Sequence, residues 1–251
     1  MIEQGPQAGR GKPLARRDDI IVCGSGSSGS DELHREQGFI YRIAREEHAG
    51  AINRLLGASF FHEPMGQAIG LTEKDWYDFS AFFMRECTTN GLSVIAVPEG
   101  SPDELAGVFI NRDFKASPPP GFPEALPRFT PLVDALVHID AEYEAERPGL
   151  QPGQVMDLWM VGVTPGGRYG RKGIGSTLFR VSVEHARHRG FRRCVVECTG
   201  HFSQRGAIKS GFQERARVIY KDYRFQGRPV FASIPEPHVK FALYERVFSQ
   251  A

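Results

Sequence analysis

The sequence has little of what marks a secreted, membrane-spanning or nucleic-acid-binding chain. Its four cysteines, Cys23, Cys87, Cys194 and Cys198, are few and scattered over 251 residues, which fits reduced thiols better than a disulfide framework. Cys194 and Cys198 share one expected strand with no second pair to complete a zinc set, so no metal site is expected. No apolar run reaches the length of a membrane span, and Ile20-Ile21-Val22 is too short for the core of a signal peptide. A formal net charge of +1 gives no field for capturing nucleic acid or an anionic membrane. These absences predict a cytoplasmic protein without nucleic-acid or membrane partners, either a monomer or a homodimer.

What is present is an ordinary apolar fraction, 41%, over a length that can bury one large core. Residues 1–37 are rich in Gly, Ser and charge, with the linker-like Gly24-Ser25-Gly26-Ser27-Ser28-Gly29-Ser30, and are expected as a flexible tail with Arg16-Arg17 solvated. The domain is expected over 38–251, with an insertion at about 112–153 that starts from Ser117-Pro118-Pro119-Pro120-Gly121 and contains a helix over 130–147. Phe39 to Arg45 alternates as a strand, and helices are expected over 47–61 and 72–87. Thr72 and Asp75 form a weak capping signal for the second of these. Asn90-Gly91 turns the chain into a hairpin of strands near 92–97 and 105–111. Further strands are expected at 192–198, 217–225 and 239–248, with a short helix after Ser203. The mixture of strands and helices is α/β, without repeats.

The chain is organised around residues 154–190. Val155-Met156-Asp157-Leu158-Trp159-Met160-Val161-Gly162-Val163 is apolar and rich in strand formers, and Thr164-Pro165-Gly166-Gly167 ends it. A helix opens near Gly173 with Ile174, Leu178, Val181 and His185 on one face, and Gly190 can take the left-handed position after its end. Between them, Arg168-Tyr169-Gly170-Arg171-Lys172-Gly173-Ile174-Gly175-Ser176 removes Cβ atoms beside a helix N-terminus with free N–H groups. That combination predicts an anion site. Arg171 and Lys172 favour a phosphate or pyrophosphate, and the spacing G-x-x-G-x-G matches neither a dinucleotide fingerprint nor a P-loop.

The strand, the loop and Val163-Thr164-Pro165 before it resemble the acetyl-coenzyme-A loop of the GNAT superfamily of N-acetyltransferases. Members usually carry Arg or Gln where Gly170 stands, whereas this chain reads Gly170-Arg171. Three further segments resemble the arylalkylamine N-acetyltransferase branch: Phe60-Phe61-His62-Glu63-Pro64-Met65; Glu197-Cys198-Thr199-Gly200-His201-Phe202-Ser203 before Gly211-Phe212; and Tyr220-Lys221-Asp222-Tyr223 with Gly227-Arg228-Pro229 and Pro237-His238. The resemblance implies a mixed, mostly antiparallel sheet with a splayed central strand pair and flanking helices. It also implies acetyl-CoA as co-substrate and a small amine as acceptor. It assigns the coenzyme to Val161, Val163, Arg168, Gly170, Arg171, Lys172, Gly173, Gly175 and Ser176, carries the general base to Glu63, and gives a role to Ser203.

The chemistry fits that assignment. An alkylamine with a pKa of about 10 has only about one molecule in a thousand unprotonated at neutral pH, so a base is needed. Glu63, acting through water, is the first candidate, and Asp157, a carboxylate in a buried strand, is the rival. Val161 and Val163 flank the point where unpaired strand amides could bind the reacting oxygen and the pantetheine arm. The tyrosine that many members use as acid is replaced by Ala207, leaving Ser203, Tyr220, Tyr223 or water. Other readings of the same residues are acetylation of a polyamine, antibiotic or protein amine, and an acyl-CoA-binding module without catalysis.

Overall fold

Among the described residues, eight strands form one sheet in the order β1-β2-β3-β4-β5-β6-β8-β7. The computed structural model describes residues 31–166 and 168–249. Cys23, the Arg16-Arg17 pair, the Gly/Ser stretch and Gly167 lie outside the described residues. The strands are β1 (Glu32–Glu36), β2 (Phe39–Ile43), β3 (Val94–Pro98), β4 (Gly107–Asp113), β5 (Val155–Val163), β6 (Arg193–Cys198), β7 (Gln213–Ile219) and β8 (Lys240–Val247). Every neighbouring pair is antiparallel except β5 and β6, whose connection is the helix α5 (Ile174–His188).

The helices α1 (Ala49–Phe60), α2 (Pro64–Ala68), α3 (Glu73–Thr89), α4 (Thr130–Ala145) and α6 (His201–Lys209) complete the fold. Ile52, Leu55 and Leu56 of α1, Trp76, Phe79 and Phe83 of α3 and Leu132, Ile139 and Tyr143 of α4 pack into one core against one face of the sheet. On the other face Ile174, Leu178 and Val181 of α5 and Ala207 of α6 pack with Phe109, Leu158 and Val196. Each is an amphipathic stripe at helical spacing, and burying one such aliphatic side chain is worth about 1.5–3 kcal/mol.

Local signals act where the sequence places them. Thr72 and Asp75 close a reciprocal capping box at the start of α3. Gly190 takes φ +85°, and the Phe191 N–H returns to the Ala186 carbonyl at 3.1 Å.

Three boundaries and the setting of one side chain differ from expectation. Glu32–Glu36, assigned to the tail, is an edge strand paired with β2; its sequence ELHRE has no apolar alternation, and backbone pairing holds it. The antiparallel strand β4 continues to Asp113, so the insertion begins later than 112. Strand β7 ends at Ile219, and the chain turns at Tyr220, whose N–H binds the Val239 carbonyl. His185, expected both on the apolar face and beside solvated basic residues, is buried with Nε2 2.8 Å from the Gly91 carbonyl.

Strand β5 positions the site. It pairs with β4 along its length but with β6 only at Val155, Met156 and Asp157, after which the two strands part. A register shift against Ile110 and Asn111 skips Trp159, so Trp159 and Met160 both face the α1, α3 and α4 side. Such a bulge bends the strand at the point where it leaves its neighbour.

Candidate active site

A cavity of about 410 Å³ passes through the gap between β5 and β6. On one side of the sheet its wall is Phe60, Glu63, Trp76, Phe79, Trp159 and Leu136; on the other it reaches Gly175, Ser176 and Phe179 of α5 and Ser203 and Gly206 of α6. A site that joins both faces through a break in the sheet can bring two reactants together from opposite sides.

The break also leaves strand groups exposed. The Thr164 N–H donates to the Ala106 carbonyl at 3.0 Å, in register with the β4–β5 ladder. Alternation along a strand then turns the N–H and C=O of Val161 and Val163 away from β4, toward the gap. Val161 lines the cavity and is 37% exposed; the Val163 carbonyl accepts from Ser59 Oγ at 3.4 Å.

At the end of β5 the loop is anchored by Tyr169, which is buried, packs edge-on against Phe39 and donates its hydroxyl to Glu104. Arg168 pairs with the same Glu104 at 2.8 Å, so that carboxylate takes up part of its charge. Gly170, Arg171, Lys172, Gly173 and Ser176 are exposed and Gly175 half-buried. Arg171 and Gly173 take φ +59° and +74°, and Gly173 is the N-cap of α5, with no side chain capping the N–H groups that follow. Cβ atoms at Gly170 and Gly175 would meet nothing closer than 3.5 and 3.7 Å, so protein packing does not require glycine there. The space those two glycines keep open lies in front of free amides and two exposed cations, as an anion-binding loop requires.

Glu63 differs from the expected loop carboxylate: it is the N-cap of α2, buried at 8% exposure, and accepts from the Met65 N–H at 2.9 Å and the Gly66 N–H at 2.5 Å. Pro64 at the first helical position and Gly66 make this possible, since a Cβ on Gly66 would come within 2.8 Å of Trp76. Burial pushes the carboxyl pKa above its ordinary value, while the Gly66 and Met65 amides and the Thr199 hydroxyl pull the other way.

Ser203, expected ahead of its helix, sits inside α6 and bonds back to Gly200, its Oγ donating to the carbonyl at 2.8 Å; it lines the cavity. Tyr220 and Tyr223 are not on the cavity wall: their hydroxyls donate to the Thr199 carbonyl and to Asp134. His201 is likewise off the wall. Cys194 and Cys198 are free and buried, and burial raises both thiols, Cys198 to about 12.

Asp157, the rival base, is off the wall as well. It belongs to a group that sequence reasoning missed: Asp140 from α4, Asp157 from β5 and Glu197 from β6, with Arg112 from β4. Burial raises Asp157 to about 7 against the pull of Arg112, with Asp140 and Glu86 adding to the rise; burial, Asp140 and Asp157 raise Glu197 well above its ordinary value, and burial raises Asp140 too. Of the four, Glu197 lines the cavity. The only sequence signal was one carboxylate in an apolar strand, because the partners lie on separate elements. Among the described residues, no cluster of His, Cys, Asp and Glu is arranged to hold a metal.

No family model matches the sequence. The fold is similar to the C-terminal condensation domain of Ebony, solved in complex with beta-alanyl-dopamine, at 16% identity and TM-score 0.74, over 84% of this chain and 99% of that one. It is similar to arylalkylamine N-acetyltransferase 2 from Aedes aegypti at 19% identity and TM-score 0.68, over 84% and 99%. The Drosophila melanogaster polyamine N-acetyltransferase, which forms N-acetylagmatine, matches at 17% and TM-score 0.64, over 84% and 100%. The architecture expected from the loop is therefore present: this chain has the fold of the GNAT acetyltransferases.

Proposed function

We propose that the protein is an acetyl-CoA-dependent N-acetyltransferase acting on a small primary amine by direct attack within a ternary complex. One observation carries this reading: a cavity through the broken sheet joins the open glycine loop at α5 to a buried carboxylate on the far face. The similar folds of amine acetyltransferases support it.

The residues fit the coenzyme. Arg171, Lys172 and the amides that begin α5 would hold its diphosphate, with Gly170 and Gly175 leaving room. The gap-facing groups of Val161 and Val163 would pair with its pantetheine arm as an added strand does. Bound there, acetyl-CoA supplies the acetyl thioester. Glu63 then removes a proton from the ammonium on the other side of the break. Its raised pKa suits this role better than that of an exposed carboxylate, and the amides of Met65 and Gly66 fix its orientation. The Val161 N–H points into the gap, where it can donate to the reacting carbonyl oxygen. Ser203, exposed on the coenzyme side, would relay a proton from solvent water to the departing sulfur, taking one from water as it gives one up.

Thiol release from acetyl-CoA across a panel of aromatic and aliphatic amines tests the reading. At least one small primary amine should drive release, and Glu63→Gln should lower that rate about 10²–10⁴-fold with acetyl-CoA affinity retained. Coenzyme binding without release for any amine would instead make the protein a binding module.

A further inference from the structure

The glycine loop carries three cations, and the fold does not leave them equally free. Arg168 is 2.8 Å from Glu104 and lies over the Tyr169 ring at 5.4 Å. Lys172 stands 5.9 Å from the centre of the Phe39 ring, and Arg171 takes φ +59°. Among the described residues, neither Arg171 nor Lys172 has an ion-pair partner. One positive charge of the three is therefore neutralised by protein, beside the amides that would meet a diphosphate.

The acid that does this is placed by the fold. Glu104 comes from the connection between β3 and β4, 65 residues before Tyr169. Its N–H donates to the Ser101 carbonyl at 2.9 Å, and the carbonyls of Leu105 and Ala106 that follow accept from the Thr164 hydroxyl and N–H at 2.5 and 3.0 Å. The segment bearing the carboxylate is thus stitched to the end of β5. The Glu104 side chain is 14% exposed against 47% for Arg168, so the acid is the fixed partner and the arginine the movable one. Anchoring Tyr169 does not require the charge. Its hydroxyl needs only an acceptor, which an amide oxygen would supply as well.

The charge has a use in exchange of the coenzyme. The diphosphate is common to acetyl-CoA and to the CoA that leaves, and gripping it harder binds both alike without speeding the chemical step. A loop with all three cations on the diphosphate would retain the product.

We propose that Glu104 sets the coenzyme affinity: by keeping Arg168 off the diphosphate, it lets CoA exchange for acetyl-CoA after each transfer. This rests on the acetyl-transfer reading and adds to it a residue outside the glycine loop. Replacing the carboxylate by an amide keeps the bond from Tyr169 and releases the guanidinium to the phosphate oxygens.

Calorimetric titration of acetyl-CoA, and separately of CoA, into the whole chain tests this. Glu104→Gln should bind both about fivefold tighter than the parent protein, the effect of one freed cation near the surface, with the melting temperature kept. Within the Glu104→Gln protein, adding Arg168→Ala should return both affinities to about the parent value. In turnover, Glu104→Gln should lower KM for acetyl-CoA without raising kcat and make CoA a stronger product inhibitor. Affinity unchanged or weaker in Glu104→Gln overturns the proposal. So does a gain that survives Arg168→Ala, since Glu104 would then merely repel the ligand. If the parent protein shows no saturable binding of acetyl-CoA, the acetyl-transfer reading fails and takes this assignment with it; if the parent binds and the variants do not differ from it, this assignment alone fails.

Discussion

Glu63 and Asp157 are both buried carboxyls that titrate high, yet they differ in what surrounds them. Glu63 has two backbone N–H groups and opens onto the cavity, whereas Asp157 has an unpartnered oxygen and like charges behind the wall. The first is arranged to exchange a proton with a ligand, and the second to keep one. With its pKa raised from 3.8 to about 7, Asp157 binds a proton in the folded chain that the unfolded chain has released. Its contribution to stability is therefore complete below about pH 4 and is lost as pH rises through 7. Asp157→Asn removes this titration, so the variant should melt with the parent protein at pH 4 and several degrees above it at pH 8. Thermal unfolding across that range checks the sign; parallel curves would show that Asp157 ionises freely in the fold.

The glycines of the central strand, loop and helix serve two different ends. A Cβ at Gly162 would overlap Leu55 and stand 3.0 Å from Ser59 Oγ, so this glycine lets α1 lie against β5. Leu55 is fully buried and has no room to yield. Gly162→Ala should therefore cost about 1–3 kcal/mol in denaturant unfolding. Gly175 meets only an ordinary contact with Val163, and alanine is the better helix former. Gly175→Ala should leave the melting temperature equal or higher while weakening acetyl-CoA binding at least tenfold. Equal affinity in that variant would mean that the open space at the helix mouth is not occupied by ligand.

At the scale of the molecule, the order of elements was legible because its signals are local: Asn90-Gly91 before the hairpin, the capping box at Thr72, the apolar run of β5 and Gly190 after α5. The loop was legible for the same reason, since glycines, cations and a helix start stand together in sequence. Features made by distant residues were not. The Trp159 bulge arises from pairing with β4, β1 from pairing with β2, and the acid group from elements brought together by the fold. The same holds for Glu245 on β8, 1% exposed at its side chain, where Arg147, Arg193 and Arg215 converge at 2.9–3.0 Å and Tyr143 donates at 2.8 Å. Burial alone would raise its pKa, but the hydrogen bonds from Tyr143, Arg147 and Arg193 hold it below the ordinary value. This hub fastens α4 and Arg147 just past its end to β6, β7 and β8. Glu245→Ala leaves three arginines around an empty place and should cost about 3–5 kcal/mol in denaturant unfolding. A loss below 1 kcal/mol would show that the arginines find water instead.

The central claim is that the glycine loop and the mouth of α5 hold the diphosphate of a thiol carrier. Calorimetric titration of acetyl-CoA into the parent protein and into Arg171→Glu tests it most directly. The account predicts saturable one-site binding to the parent, weakened at least tenfold by the reversed charge. No saturable binding to the parent, or the same affinity in both proteins, would contradict it.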